Sequence, residues 1–72
     1  MNNRIKVLRA EQDLSQQKLA ERIGVSRQAI NAVERGKHDP SLQLAFDIAN
    51  QFNKRIEEVF FPEKKSEFKD NE

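Results

Sequence analysis

Between Ser15 and Gly36 the sequence holds two short amphipathic helices in immediate succession, and this segment constrains the fold more than any other. Ser15 is placed to cap a helix over residues 16–23 whose inward face is Leu19, Ala20 and Ile23. Gly24 ends it, because the left-handed conformation that follows a helix is least costly for glycine. Val25 plugs the turn, Ser26 caps a further helix with Ile30 and Val33 turned inward, and Gly36 closes that helix. Two short helices crossing steeply need a small side chain where their backbones approach, a glycine at the bend and apolar residues on both inner faces. Ala20, Gly24 and the residues at 19, 23, 25, 30 and 33 meet these conditions, which specify a helix-turn-helix over about residues 16–35.

Apolar residues recur at intervals of three and four through the rest of the chain, and no stretch alternates convincingly over a strand's length. The reading is therefore an all-α, five-helix domain. A first helix starts after Asn2 or Asn3, either of which can cap, buries Ile5 and Leu8 and ends near Gln12, with Leu14 pinning the next turn. Asp39-Pro40-Ser41 forms a turn that delivers an N-cap at Ser41. Leu42, Leu44, Ala45, Phe46, Ile48, Ala49 and Phe52 then give a broad apolar surface against a polar stripe of Gln43, Asp47, Asn50 and Lys54, so this fourth helix is expected to be the central and most buried one. Asn53 suits a left-handed terminator, and Ile56, Val59 and Phe60 predict a last short helix stopped by Pro62. The domain is thus expected over residues 1–61, with 62–72 a charged, fraying tail.

The composition narrows the chemistry. The chain has no cysteine and one histidine, so neither a disulfide framework nor a Cys/His metal site is expected, and no cofactor is implied. No apolar run approaches the roughly 18 residues of a membrane span, and Met1 is followed by polar residues, so a cytoplasmic address is expected. The net charge of +1 conceals an asymmetry. Residues 1–37 hold eight bases against four acids, whereas residues 38–72 hold five bases against eight acids. A polyanionic partner would meet the first half.

With Ile30 and Val33 inward, the 100° helical step puts Arg27, Gln28, Asn31, Ala32 and Arg35 on the outward side of the second helix of the motif. Those side chains suit base edges in duplex DNA. Gln pairs bidentately with adenine N6/N7 and Arg with guanine O6/N7, each good pair discriminating by about 1–3 kcal/mol, and an alanine methyl suits a thymine methyl. Gln28 is the first candidate reader and Arg27 the second, while Ser26 is a cap that also reaches a phosphate. Helix N-termini favour anions, which makes Gln16 and its neighbour Gln17 phosphate candidates; Lys18, in the same turn, opposes the helix dipole unless a phosphate lies near. Arg35 and Lys37 are further phosphate candidates that add affinity without reading sequence.

The residues Leu14-Ser15-Gln16, Leu19-Ala20, Ile23-Gly24-Val25-Ser26-Arg27-Gln28, Ile30, Glu34, Gly36 and Pro40-Ser41-Leu42 resemble, in register, the Cro/phage-repressor-like (Xre-type) helix-turn-helix regulators. The resemblance runs from about Arg4 to Phe60 and is greatest to the compact members of that family. It implies a lambda-repressor-like five-helix domain, usually dimeric, whose third helix enters the DNA major groove, and an internal ion pair between Arg9 and Glu34. Lys54 and Arg55 depart from it, standing where an apolar residue and a Ser or Thr cap are common.

Other functions find less support. His38 stands alone in a loop without a nucleophile or metal partner, and the adjacent Glu57-Glu58 suit a helix's first turn rather than a catalytic dyad, so no enzyme is expected. The absence of Trp and Tyr leaves no stacking platform for single strands or RNA. So short a chain leaves little interior for a small-molecule pocket. A single short recognition helix gains affinity by pairing on half-sites about 34 Å apart, which predicts a homodimer on a two-fold-symmetric operator. Phe60 and Phe61 cannot both hide from one helix in a small core, so Val59, Phe60 and Phe61 are the expected dimer contacts. The expected function is a double-stranded-DNA-binding transcriptional regulator, a repressor by family habit; the competing reading is an antitoxin-like module that neutralises a toxin partner and autoregulates.

Overall fold

A computed structural model describes residues 1–62. In chain order the elements are β1 (Asn2–Asn3), α1 (Ile5–Glu11), α2 (Gln16–Ile23), α3 (Arg27–Glu34), α4 (Leu42–Gln51), α5 (Ile56–Val59) and β2 (Phe60–Phe61). The domain is all-α, as its three- and four-residue periodicity requires, with one small addition. β1 and β2 pair antiparallel, Asn2 opposite Phe61 and Asn3 opposite Phe60. The Arg4 amide continues this closure by donating to the Val59 carbonyl at 2.9 Å. Two-residue strands carry no periodicity, so they are invisible to pattern reading. The last helix accordingly stops at Val59, and Phe60 turns extended (φ −118°, ψ 138°) to enter the ribbon. Residues 63–72, most of the expected tail, lie outside the described residues.

The helix boundaries follow from their caps. Ser15, Ser26 and Ser41 each sit in extended backbone and accept from the amide three residues on, at 3.0, 3.0 and 3.1 Å. Gly24 adopts φ +88° at the end of α2, and its amide and that of Val25 both donate to the Ala20 carbonyl. Asn53 takes φ +58° after α4, as its type allows. Two caps differ from expectation. The residue before α1 is Arg4, without a side-chain cap; Asn3, one position earlier, accepts from the Ile5 amide through Oδ1 at 3.1 Å. The N-cap of α5 is Arg55, whose own amide donates to the Glu58 carboxylate at 2.8 Å, so the acid three residues on satisfies an entry that lacks a hydroxyl cap.

The core is built from every helix. Ile5 and Leu8 of α1, Leu19 and Ala20 of α2, Ile30 and Val33 of α3, and Ala45, Ile48 and Ala49 of α4 are buried, closed by Leu14, Phe52, Val59 and Phe60. Ala20 is fully buried, as a close approach of two backbones requires. α4 holds more buried residues than any other described helix, as expected, but not all of its broad apolar surface is covered. It buries Ala45, Ile48 and Ala49, yet Leu42 is 69% exposed and Phe46 45% exposed. A helix apolar on more than one face has one face left over when the remaining elements pack on the other.

Candidate nucleic-acid interface

The candidate surface is the outer side of α3 together with the N-terminus of α2. Ile30 and Val33 hold α3 to the core, and the helical step leaves Ser26, Arg27, Gln28 and Arg35 exposed, with Asn31 and Ala32 half-buried at the margin. Lys37 and His38 are exposed just beyond; their amides donate back to the Ala32 carbonyl at 2.9 and 3.3 Å, wrapping the chain over the end of α3. Arg27, Asn31 and Arg35 share one i, i+4 row. The Ser26 hydroxyl is engaged as a cap by the Ala29 amide. On α2, Gln17 is exposed and donates to Glu21 at 3.0 Å, and the Lys18 ammonium lies 3.5 Å from the same carboxylate. Those contacts hold the Glu21 carboxyl below its ordinary range, the Gln17 hydrogen bond first and the Lys18 charge after it.

Arg9 and Glu34 meet in a bidentate pair. Arg9 Nε donates to Glu34 Oε2 at 2.8 Å, Nη2 donates to Oε1 at 2.9 Å, and Nη1 donates to the Leu14 carbonyl at 2.9 Å. The side chains are only 15% and 8% exposed, so the pair joins α1 and its following turn to α3 away from bulk water. Burial pushes the Glu34 carboxyl up, but hydrogen bonds from Arg9 and Gln16 and the charges of Arg9 and Lys6 outweigh it and hold the group below its usual value of 4.5. The same contact with Glu34 raises Arg9, so the guanidinium stays charged.

Gln16 occupies a place that its position in the sequence does not announce. Its side chain turns onto α3, where Nε2 donates to Glu34 Oε1 at 2.9 Å and Oε1 accepts from Asn31 Nδ2 at 3.3 Å. Gln16, Asn31, Glu34 and Arg9 therefore form one connected group. Asn3 is a second such residue. Its Nδ2 donates to the Val33 carbonyl at 3.0 Å, tying the N-terminal strand to the end of α3. Neither contact has a helical or strand spacing, so residue order carries no signal for either.

The expected dimer residues separate. Val59 is fully buried and Phe60 is 6% exposed, both within the protomer's own core, so their side chains are not available to a partner. β2 alternates its side chains, which places Phe60 inward and leaves Phe61 36% exposed. Among the described residues no group of His, Asp and Glu is placed to hold a metal ion, and no helix is long and apolar enough to cross a membrane.

The chain is similar to known helix-turn-helix proteins. A helix-turn-helix family model matches residues 5–59. A helix-turn-helix-type transcriptional regulator of Methanocaldococcus jannaschii is 52% identical over 63 residues, covering 88% of this chain and 96% of the relative. Another, YgzD of Bacillus subtilis, is 44% identical over 66 residues, covering 92% of this chain and all of the relative. The crystal structure of a candidate DNA-binding protein from Bacteroides fragilis superposes with a TM-score of 0.72 at 33% identity, covering 81% of this chain and 94% of that one. The chain belongs to the Cro/phage-repressor-like (Xre-type) helix-turn-helix family of DNA-binding transcriptional regulators.

Proposed function

We propose that the protein represses transcription by occupying a two-fold-symmetric operator as a homodimer, each protomer laying α3 into a major groove. The observation that carries this reading is the outer side of α3. Arg27 and Gln28 stand exposed in its first turn while Ile30 and Val33 anchor it from behind. Gln28 and Arg27 read base edges, and the Ala32 methyl packs against a thymine methyl. Gln16 and Gln17 at the start of α2, the cap at Ser26, and Arg35 and Lys37 at the far end of α3 stand beside the flanking phosphates. A domain bound across a promoter blocks polymerase without further chemistry, which makes repression the simplest output.

The homodimer is favoured by the apolar side chains left on the surface. Phe61 on β2, with Leu42 and Phe46 on α4, gives a second copy something to cover. Sedimentation of the full chain should find a dimer that Phe61→Asp weakens; a monomer at all concentrations would remove the dimer from the reading.

Titration of matched duplexes tests the DNA contacts. Gln28→Ala and Arg27→Ala should narrow the gap between a selected duplex and a random one by about 1–3 kcal/mol each. Arg35→Ala and Lys37→Ala should instead weaken all duplexes alike and reduce the salt slope by about one unit each. Discrimination unchanged by the first pair, or a slope unchanged by the second, would remove those residues from their roles.

A further inference from the structure

The hydrogen bonds around Gln16 run in one direction, and that direction is set at a single end. An ionised carboxylate accepts and cannot donate. Glu34 Oε1 lies 2.9 Å from the Gln16 amide, so Gln16 must face it with its NH2 group. The Gln16 carbonyl oxygen is thereby turned the other way, towards Asn31. An amide oxygen cannot donate either, so Asn31 must meet it with Nδ2, at 3.3 Å. The ion pair with Arg9 keeps Glu34 charged and in place, so the starting acceptor does not change character. At the far end, Asn31 retains its carbonyl oxygen and one N–H, in the same i, i+4 row as Arg27 and Arg35. Without a carboxylate in the chain, every amide in it could turn over at equal cost.

We propose that Glu34 is a positioning residue for sequence recognition: acting through Gln16, it fixes the Asn31 amide with its carbonyl oxygen free for the major groove, where Asn31 reads an adenine. The oxygen accepts from adenine N6 and the remaining N–H donates to N7. This rests on the DNA-binding reading above and adds to it the orientation of one reader and the group that sets it.

Glu34→Gln retains an acceptor for Arg9 but replaces the obligate acceptor with an amide that can also donate. The relay can then run in reverse, leaving Asn31 to present its NH2 group, which suits guanine N7/O6 rather than adenine. Gln16→Leu cuts the relay while leaving Arg9 and Glu34 paired. The test selects bound duplexes from a random pool with the full chain, locates the base pair whose preference is lost in Asn31→Ala, and titrates duplexes differing only there. Thermal melting checks that each variant folds.

The expected result is an adenine preference at that pair that falls on the order of tenfold in Glu34→Gln and in Gln16→Leu, with preferences at other pairs retained. A purely structural role would lower affinity for all duplexes together and leave the base ratio unchanged. If Glu34→Gln does not fold, Gln16→Leu decides alone. An adenine preference lost in Asn31→Ala but intact in the relay variants overturns the relay and leaves the DNA reading standing. The relay is likewise overturned if Asn31→Ala changes no base preference. A wild-type chain indifferent to duplex sequence removes the underlying reading as well.

Discussion

The helix-turn-helix and the closure of the domain are held by different kinds of interaction. From Ser15 to Arg35 nearly every defining contact is local. Serine caps reach three residues ahead, Gly24 turns back onto Ala20, and the inward residues follow one helical period. The closure joins distant parts of the chain, Asn2 and Asn3 against Phe60 and Phe61, with Arg4 bonded to Val59. Local contacts are cheap to form and leave a signature in residue order; long-range ones must overcome loop-closure entropy and leave almost none. The recognition element is therefore a self-consistent local unit, and the ribbon clamps the first and last described elements around it.

The largest expected effect breaks the clamp. Phe60→Ala removes a buried aromatic that also anchors β2, and should cost about 3–5 kcal/mol, read as a lowered denaturation midpoint in urea. A loss under 1 kcal/mol would mean that the ribbon only decorates a domain the helices already complete.

A second effect belongs to the Arg9–Glu34 ion pair, which links the region before the motif to α3. Glu34 titrates below its ordinary 4.5, so the folded state binds fewer protons than the unfolded one as the pH falls through that range. Its contribution is fully present above the unfolded value and is lost as the pH drops through the folded one. Glu34→Gln should therefore flatten the decline of stability below about pH 4.5 while being less stable than wild type at pH 7. Parallel acid profiles for the two proteins would contradict the assigned pair.

A smaller effect is expected at the glycine bend of the motif. A Cβ at Gly24 would meet nothing within 4 Å, so Gly24→Ala should report backbone conformation alone, at φ +88°. About 1 kcal/mol is expected from the left-handed backbone, measured as a shift in thermal midpoint. A much larger loss would show that the bend depends on packing as well as on local geometry.

The same contrast governs how much of the fold residue order reveals. The bounds of α2, the three serine caps, the glycine bend and the left-handed Asn53 were legible because each is a relation between residues a few positions apart. The split between Phe60 and Phe61 was half legible: two adjacent phenylalanines cannot share one inward direction, but which turned inward depended on a strand partner at the other end of the chain, Asn3. Leu42 and Phe46 are exposed against expectation because apolarity on a helix states how much surface favours burial and not how many neighbours exist to bury it. At the candidate interface the outward residues of α3 followed from helical phase, whereas the turn of Gln16 onto Glu34 and Asn31 depended on how two helices cross.

The proposed function places duplex DNA against the exposed side of α3. Its most direct test is competition between the duplex the full chain selects from a random pool and a scrambled duplex of the same length, at one fixed, moderate ionic strength. A preference of about a thousandfold or more for the selected duplex is expected, much of it lost in Gln28→Ala. Equal affinity for the two duplexes would contradict it.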